Sequence, residues 1–217
     1  SVNMFFDGDG LLHVIGNDRW NDPSLWTHQD EISIQPVWTK LNDFPSSSNR
    51  YNSEFAEYDG TIYIAQSGSL QKLVLTNTGY LFEQIGTWSD YNDQPTDMAI
   101  SPDGKIYLTA NTEFQVYDIT NDTWDTSDYP TDSTTGFSQI AFGDDGTLFF
   151  VGTGVAGGLG SWTKAGGSNW SASTLIDGSV NSNSVVSTLN SELLIDSNGD
   201  AHLIYMNGGK LDYFEEK

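Results

Sequence analysis

The side chains with the most chemistry to offer fall into three groups. His13 and His202 each stand three residues after a glycine in copies of the same short phrase. Imidazoles so matched are candidates for a metal or acid–base pair. Trp20, Trp26, Trp162 and Trp170 lie in stretches rich in Asp, Asn, Ser or Gly, and His28 stands close to the first two. Aromatic faces beside planar polar groups are what a neutral sugar requires, and tryptophan also dominates the centres of protein–protein contacts. These five residues, Trp20, Trp26, His28, Trp162 and Trp170, are the ligand-binding candidates. Asp7 and Asp9, and Asp196 and Asp200 in Asp196-Ser-Asn198-Gly-Asp200, place carboxylates at spacings that suit the oxygen ligands of calcium. Neither run extends into a twelve-residue EF-hand loop, and capping of a turn accounts for the same carboxylates. The chain has no cysteine, which removes thiolate catalysis, disulfides and thiolate metal sites. It has no HExxH pair and no GxSxG elbow. No catalytic residue is assigned and no cofactor is expected, calcium being the one candidate ion.

The elements that must position these groups are written in a phrase that occurs five times. It reads MFFDGDGLLHVIG from Met4, FAEYDGTIYIAQSG from Phe55, MAISPDGKIYLTAN from Met98, IAFGDDGTLFFVGT from Ile140 and LLIDSNGDAHLIYM from Leu193. Each copy has Asp or Asn before a glycine: Gly10, Gly60, Gly104, Gly146 and Gly199. Asp-Gly or Asn-Gly between apolar runs is the strongest local signal for a β-hairpin, because both residues tolerate positive φ. The residue three before the glycine is Asp7, Glu57, Ser101 or Asp196 in four copies, a side chain able to bond backbone N–H groups inside the turn. The position three after the glycine always holds a ring: His13, Tyr63, Tyr107, Phe149, His202. That recurrence favours packing over catalysis for the two histidines. Apolar residues on both sides of each strand imply burial on both faces.

The glycines are 50, 44, 42 and 53 residues apart. A four-stranded unit repeating at about 40–50 residues is the mark of a β-propeller blade. The expected architecture is therefore all-β, a single β-propeller domain over residues 1–217 with about five four-stranded blades: 1–47, 48–91, 92–135, 136–180 and 181–217. Blade one carries an unusually long polar connection, residues 17–36, which holds Trp20, Trp26 and His28. Blade four turns glycine-rich from Thr153 to Trp170, either a permissive backbone able to approach a ligand closely or simply a wide, flexible loop between strands. Blade five shows three strands, with residues 181–188 or the extreme N-terminus as sources of a fourth. Either the chain ends complete the ring or the chain is part of a larger propeller.

Composition narrows the partners. The chain has 217 residues, with 30 acidic and 8 basic, a formal charge of −22. That argues strongly against nucleic acid and anionic membranes as partners, since affinity for phosphate comes from Lys and Arg. With Arg19 and Arg50 the only arginines, acidic polysaccharides, uronates and sialic acid are also disfavoured. There is no signal peptide and no apolar run long enough to insert in a membrane. The chain starts Ser-Val-Asn, as a processed product or an excised piece would. An acidic, cysteine-free, Asp/Asn/Ser/Thr-rich chain suits a bacterial secreted or cell-surface protein.

Two resemblances follow from the blades. Trp38 to Gly68 and Phe114 to Pro130 resemble kelch repeats, with Gln66-Ser67-Gly68 and Ala110-Asn111 where that family has a Gly-Gly pair. The Asp-Gly turns are similar to the Asp-box of sialidase-like and lectin propellers, without the full Ser-x-Asp-x-Gly-x-x-Trp. Both imply a propeller and leave its function open. A copper site of the galactose oxidase type is excluded by the missing cysteine. The expectation is a non-enzymatic extracellular module, lectin-like, that binds neutral glycan or a protein partner through its aromatic loops. The alternatives are a propeller glycoside hydrolase, with Asp7, Glu57 and Asp196 at one repeat position, and a structural propeller in a larger surface assembly.

Overall fold

A computed structural model of the chain describes residues 2–6, 12–17, 23–28, 38–43, 53–66, 68–76, 79–87, 95–110, 114–125, 130, 133–154, 158–166, 168–172, 174–178, 191–207 and 210–216. All regular structure among them is strand. The first sheet contains β1 (Val2–Phe6), β2 (Leu12–Asn17), β3 (Pro23–His28) and β4 (Trp38–Asp43). The second contains β5 (Ser53–Tyr58), β6 (Thr61–Gln66), β7 (Ser69–Thr76) and β8 (Gly79–Thr87). The third contains β9 (Pro95–Ile100), β10 (Lys105–Ala110), β11 (Phe114–Asp118) and β12 (Thr123–Asp125). The fourth contains β13 (Ser133–Phe142), β14 (Leu148–Gly154), β15 (Leu159–Lys164) and β16 (Thr174–Asp177). The last contains β17 (Ser191–Ile195), β18 (Ala201–Asn207) and β19 (Lys210–Glu216). Within every sheet, neighbours in space are neighbours in sequence. Successive up-and-down sheets of this size are the blades of a β-propeller. The chain divides into two compact units, Ser1–Pro95 with blades one and two, and Thr96–Lys217 with blades three to five.

The repeated turn takes two forms. In blade two Tyr58 pairs with Thr61, so Asp59 and Gly60 alone make the reversal. Their φ values of 49° and 74° are both positive, as a type I′ turn demands. Blades three to five use a three-residue loop instead. The N–H groups of Gly104, Gly146 and Gly199 donate to the carbonyls of Ser101, Gly143 and Asp196 at 3.0, 2.9 and 3.0 Å. The N–H groups of Ser101, Gly143 and Asp196 donate to the carbonyls of Lys105, Thr147 and Asp200 at 2.9, 2.9 and 3.0 Å. This is a type I turn closed by a left-handed glycine, and the three glycines have φ of 81°, 79° and 87°. Pro102 stands second in its turn, where its fixed φ fits.

The side chain three before the glycine acts as expected. Ser101 Oγ accepts from the Lys105 N–H at 2.9 Å, and Glu57 Oε1 accepts from the Gly60 N–H. Asp196 Oδ1 accepts from the N–H groups of Asn198 and Asp200 at 2.8 and 3.0 Å. Blade four has Gly143 in that position, and Asp145 substitutes, accepting from the N–H and hydroxyl of Thr147 at 2.9 and 3.0 Å.

Burial follows the alternation of the strands. In blade four Leu148, Phe150 and Trp162 pack back onto Tyr107, Phe114 and Val116 of blade three. Phe149 and Val151, the alternating residues, pack forward onto Leu193, Ala201, Leu203 and Tyr205 of blade five. Strands β6 and β10 are buried at five consecutive residues each, as strands covered on both faces must be. Each large apolar side chain so buried contributes roughly 1.5–3 kcal/mol. Asp97 adds a polar pin. Its carboxylate accepts from the Met98 N–H at 2.8 Å and from the Ile140 N–H at 2.7 Å, which ties β9 to β13. Burial of that carboxylate pushes its pKa up to about 7, the two N–H bonds oppose the rise, and Glu192 adds to it.

Two expectations about loops are corrected. The glycine-rich stretch of blade four is not one wide loop, because residues 159–164 form β15, buried through Trp162. Its glycines admit neighbouring backbone. A Cβ at Gly158 would stand 2.8 Å from Leu175 Cδ1 and 2.9 Å from the Asp177 carbonyl oxygen. A Cβ at Gly160 would stand 3.3 Å from the Thr174 carbonyl oxygen and from the Trp162 ring. The long connection of blade one is likewise interrupted, by β3, which carries Trp26 and His28. For the fourth strand of blade five, residues 181–188 lie outside the described residues, and Val2–Phe6 is already the first strand of blade one.

Candidate functional site

The turns of blades three and four, with the β15–β16 connection, enclose a cleft of about 400 Å³ inside the second unit. One wall is the Ser101–Lys105 turn, the opposite wall is Asp144, Asp145 and Gly146, and Lys164, Ala165 and Gly166 complete the rim. Tyr107, Phe142 and Leu148 line its depth. The rings of Tyr107 and Phe142 meet edge to face, with centroids 5.3 Å apart. The first is fixed by its repeat position on β10, the second by ending β13 just before the turn.

The cleft is electrostatically mixed. Lys105 Nζ lies 3.4 Å from Asp103 Oδ2. The Ser101 hydroxyl bonds the Asp103 carboxylate and, with Lys105, holds its pKa below the ordinary carboxylate range. The Thr147 N–H and hydroxyl hold Asp145 down in the same way. Asp144 is exposed on the rim. Lys164 stands with its Nζ 5.8 Å from the centre of the Trp170 ring. Two of the chain's eight basic residues therefore converge here, facing three carboxylates. In a chain of formal charge −22, this is a patch of near balance.

The tryptophan candidates are dispersed. Trp162 is 1% exposed, in the core between blades three and four, with its ring 5.3 Å from Phe150, so it presents no face to a ligand. Its loop placement is corrected by the formation of β15. Trp170 is half-buried against Phe114 and Phe150, at 5.7 and 6.0 Å between centroids, and reaches the cleft only through Lys164. Its indole N–H is buried and has no hydrogen-bond partner among the described residues. Trp20 lies outside the described residues, as do Asp7 and Asp9. Trp26 and His28 are placed as backbone on β3, where Trp26 pairs with Val14 and Lys40.

The carboxylates read as calcium ligands are occupied with the turn. Asp196 Oδ1 holds two backbone N–H groups, and Oδ2 bonds the Asn198 amide at 3.2 Å and lies 3.4 Å from His202 Nε2. The Asp200 N–H is the largest cause of its lowered pKa. Among the described residues no group of three or more His, Asp or Glu side chains is arranged to hold a metal. His202 also bonds the Tyr213 hydroxyl through Nδ1 at 2.7 Å. The side chain of His13 lies outside the described residues.

Lys105, Lys164, Asp144 and Phe142 were not singled out from sequence. The signal available for the lysines was scarcity, since a basic residue beside a turn is conspicuous in so acidic a chain. Asp144 was absorbed into the turn signature.

The sequence matches no family model and no curated protein. The fold is similar to virginiamycin B lyase from Staphylococcus aureus, with a TM-score of 0.62 at 11% identity over 97% of this chain and 68% of that one. It is similar to AofleA from Arthrobotrys oligospora, at 0.59 and 10% identity over 100% and 68%. It is also similar to the Aleuria aurantia lectin in complex with alpha-methyl-L-fucoside, at 0.58 and 13% identity over 99% and 72%. These likenesses show the propeller fold.

Proposed function

We propose that this propeller is a lectin-like recognition module that binds neutral glycan in the cleft between blades three and four. The observation that carries the reading is the cleft's make-up: the rings of Tyr107 and Phe142 lie below a rim where Lys105, Asp103, Asp144 and Asp145 supply donors and acceptors side by side. A pyranose ring offers an apolar face and a circle of hydroxyls, and such a surface matches both. The fold it shares with a lectin solved with a fucoside supports the reading. So does the acidity of the chain, which repels anionic ligands. We read the blades as kelch-like or Asp-box-like and the protein as one that works outside the cell, where glycans of this kind are displayed.

Glycoside hydrolysis is less well supported. It needs one carboxyl kept protonated beside one kept ionised. Asp103 and Asp145 are both held low, and Glu57 and Asp196 of the expected acid set cap turns.

A neutral-glycan array tests the proposal. Binding should fall about tenfold or more in Lys105→Ala and in Asp144→Asn, with thermal unfolding unchanged. An array without hits would refute glycan binding. Hits retained in full by both variants would refute this cleft as the site.

A further inference from the structure

The rim of the cleft between blades three and four has one charge left over. Asp103 is fully engaged: Oδ1 accepts from the Ser101 hydroxyl, and Oδ2 lies 3.4 Å from Lys105 Nζ. Asp145 is engaged as well, with Oδ1 accepting from the Thr147 N–H and Oδ2 from the Thr147 hydroxyl. Asp144 differs from both. It lines the cleft, it is exposed, and its carboxylate has no hydrogen bond or ion pair among the described residues. The two cations of the rim are answered from within the protein. Lys105 faces Asp103, and Lys164 Nζ stands over the Trp170 ring, 5.8 Å from its centre.

A ligand entering the cleft therefore meets an unanswered carboxylate above an aromatic floor, since Tyr107 and Phe142 line the depth. A hydroxyl can donate to such a carboxylate. An ammonium does so with charge on both sides, in a bond about twice as strong. An independent observation points the same way. The chain carries a formal charge of −22, and a field of that sign concentrates cations at the surface and speeds their arrival. In the cleft, Asp144 is where a ligand's positive charge is met.

Resting on the reading of the cleft as a glycan site, we propose that its preferred ligand is an amino sugar with the amine free. The ammonium pairs with Asp144, and the apolar face of the pyranose ring rests on Tyr107 and Phe142. The matching neutral sugar binds in the same place more weakly, with a hydroxyl where the ammonium would be. Acetylation of the amine removes the charge, so the cleft separates free amino sugars from their N-acetyl forms. A basic peptide carries the same charge but lacks the pyranose face and its circle of hydroxyls.

Calorimetric titration of the 217-residue chain gives the test. The probes are glucosamine, galactosamine and mannosamine, each set against its hydroxyl parent and its N-acetyl form at about pH 6, where the free amine is charged. At about 0.05 M salt, at least one amino sugar should bind about tenfold more tightly than both of its neutral counterparts. At about 0.5 M salt that ratio should fall to about threefold or less, because the pair is exposed and screened. Asp144→Asn should abolish the ratio. Glu83→Gln removes one negative charge outside the cleft, on blade two, and should leave the ratio unchanged. No binding by any sugar, here or on the neutral array, would overturn this inference together with the reading beneath it. Hits on the array without a preference for any free amine would overturn this inference alone. So would a preference retained in Asp144→Asn, or trilysine competing as well as the amino sugar.

Discussion

Tyr107 and His202 occupy one position in two copies of the same repeat, and their surroundings differ. Tyr107 is 7% exposed and wedged edge-on between Phe114 and Phe142 of blades three and four, at centroid distances of 6.1 and 5.3 Å. His202 is half-buried, its ring stacked on Tyr213 and bonded to that hydroxyl. The repeat fixes the direction in which the side chain leaves the strand. What stands beyond it decides whether that side chain becomes core, cleft floor or surface.

The comparison would be broken first by stability. Tyr107→Ala should cost about 3–5 kcal/mol, as large aromatic truncations in a core do, and His202→Ala less than about 1 kcal/mol. Urea unfolding of both variants measures this, and equal costs would mean that the two positions are not packed differently. The next effect is on pH dependence. Asp97 titrates near 7 when folded and near the ordinary aspartate value of 3.8 when unfolded. The folded state therefore holds the proton more tightly, and this residue's contribution to stability declines as pH rises from about 4 to about 7. Asp97→Asn should flatten the unfolding free energy over that window; an unchanged slope would show that the carboxylate is not desolvated. The turn glycines should give a smaller and uniform result. Gly146→Ala and Gly199→Ala each place a side chain at positive φ and should cost about 1–2 kcal/mol. A marked difference between them would mean that the two turns are not the same device. Smallest is Lys105→Ala, which should shift stability by less than about 0.5 kcal/mol while lowering affinity in the cleft.

The fold was legible because its signals are local. Asp59-Gly60 and Ser101-Pro102-Asp103-Gly104 carry their turn geometry in four residues or fewer, and the run Thr61–Gln66 declares burial on both faces by being apolar nearly throughout. The interior of blade four was harder to read. Gly158 and Gly160 look like loop residues in sequence, yet they are glycine because Leu175, Asp177 and Thr174 press against them from the next strand. The cleft was harder still. Lys105, Asp144 and Lys164 come from three separate turns and connections, and only the stacking of two blades brings them to one rim. Trp162 misled for the opposite reason: residue type suggested a ligand platform, and the alternation of β15 turned it inward.

The three-residue turns also bear on how the molecule ages. An Asn-Gly or Asp-Gly pair is the place where a glycine nitrogen can attack the preceding side-chain carbonyl and close a succinimide. In these turns the nitrogens of Gly104, Gly146 and Gly199 are each committed to a carbonyl three residues back. Ring closure at Asn198-Gly199 therefore requires the turn to open first. Deamidation there, followed by mass spectrometry, would report how often the last blade loosens at its tip.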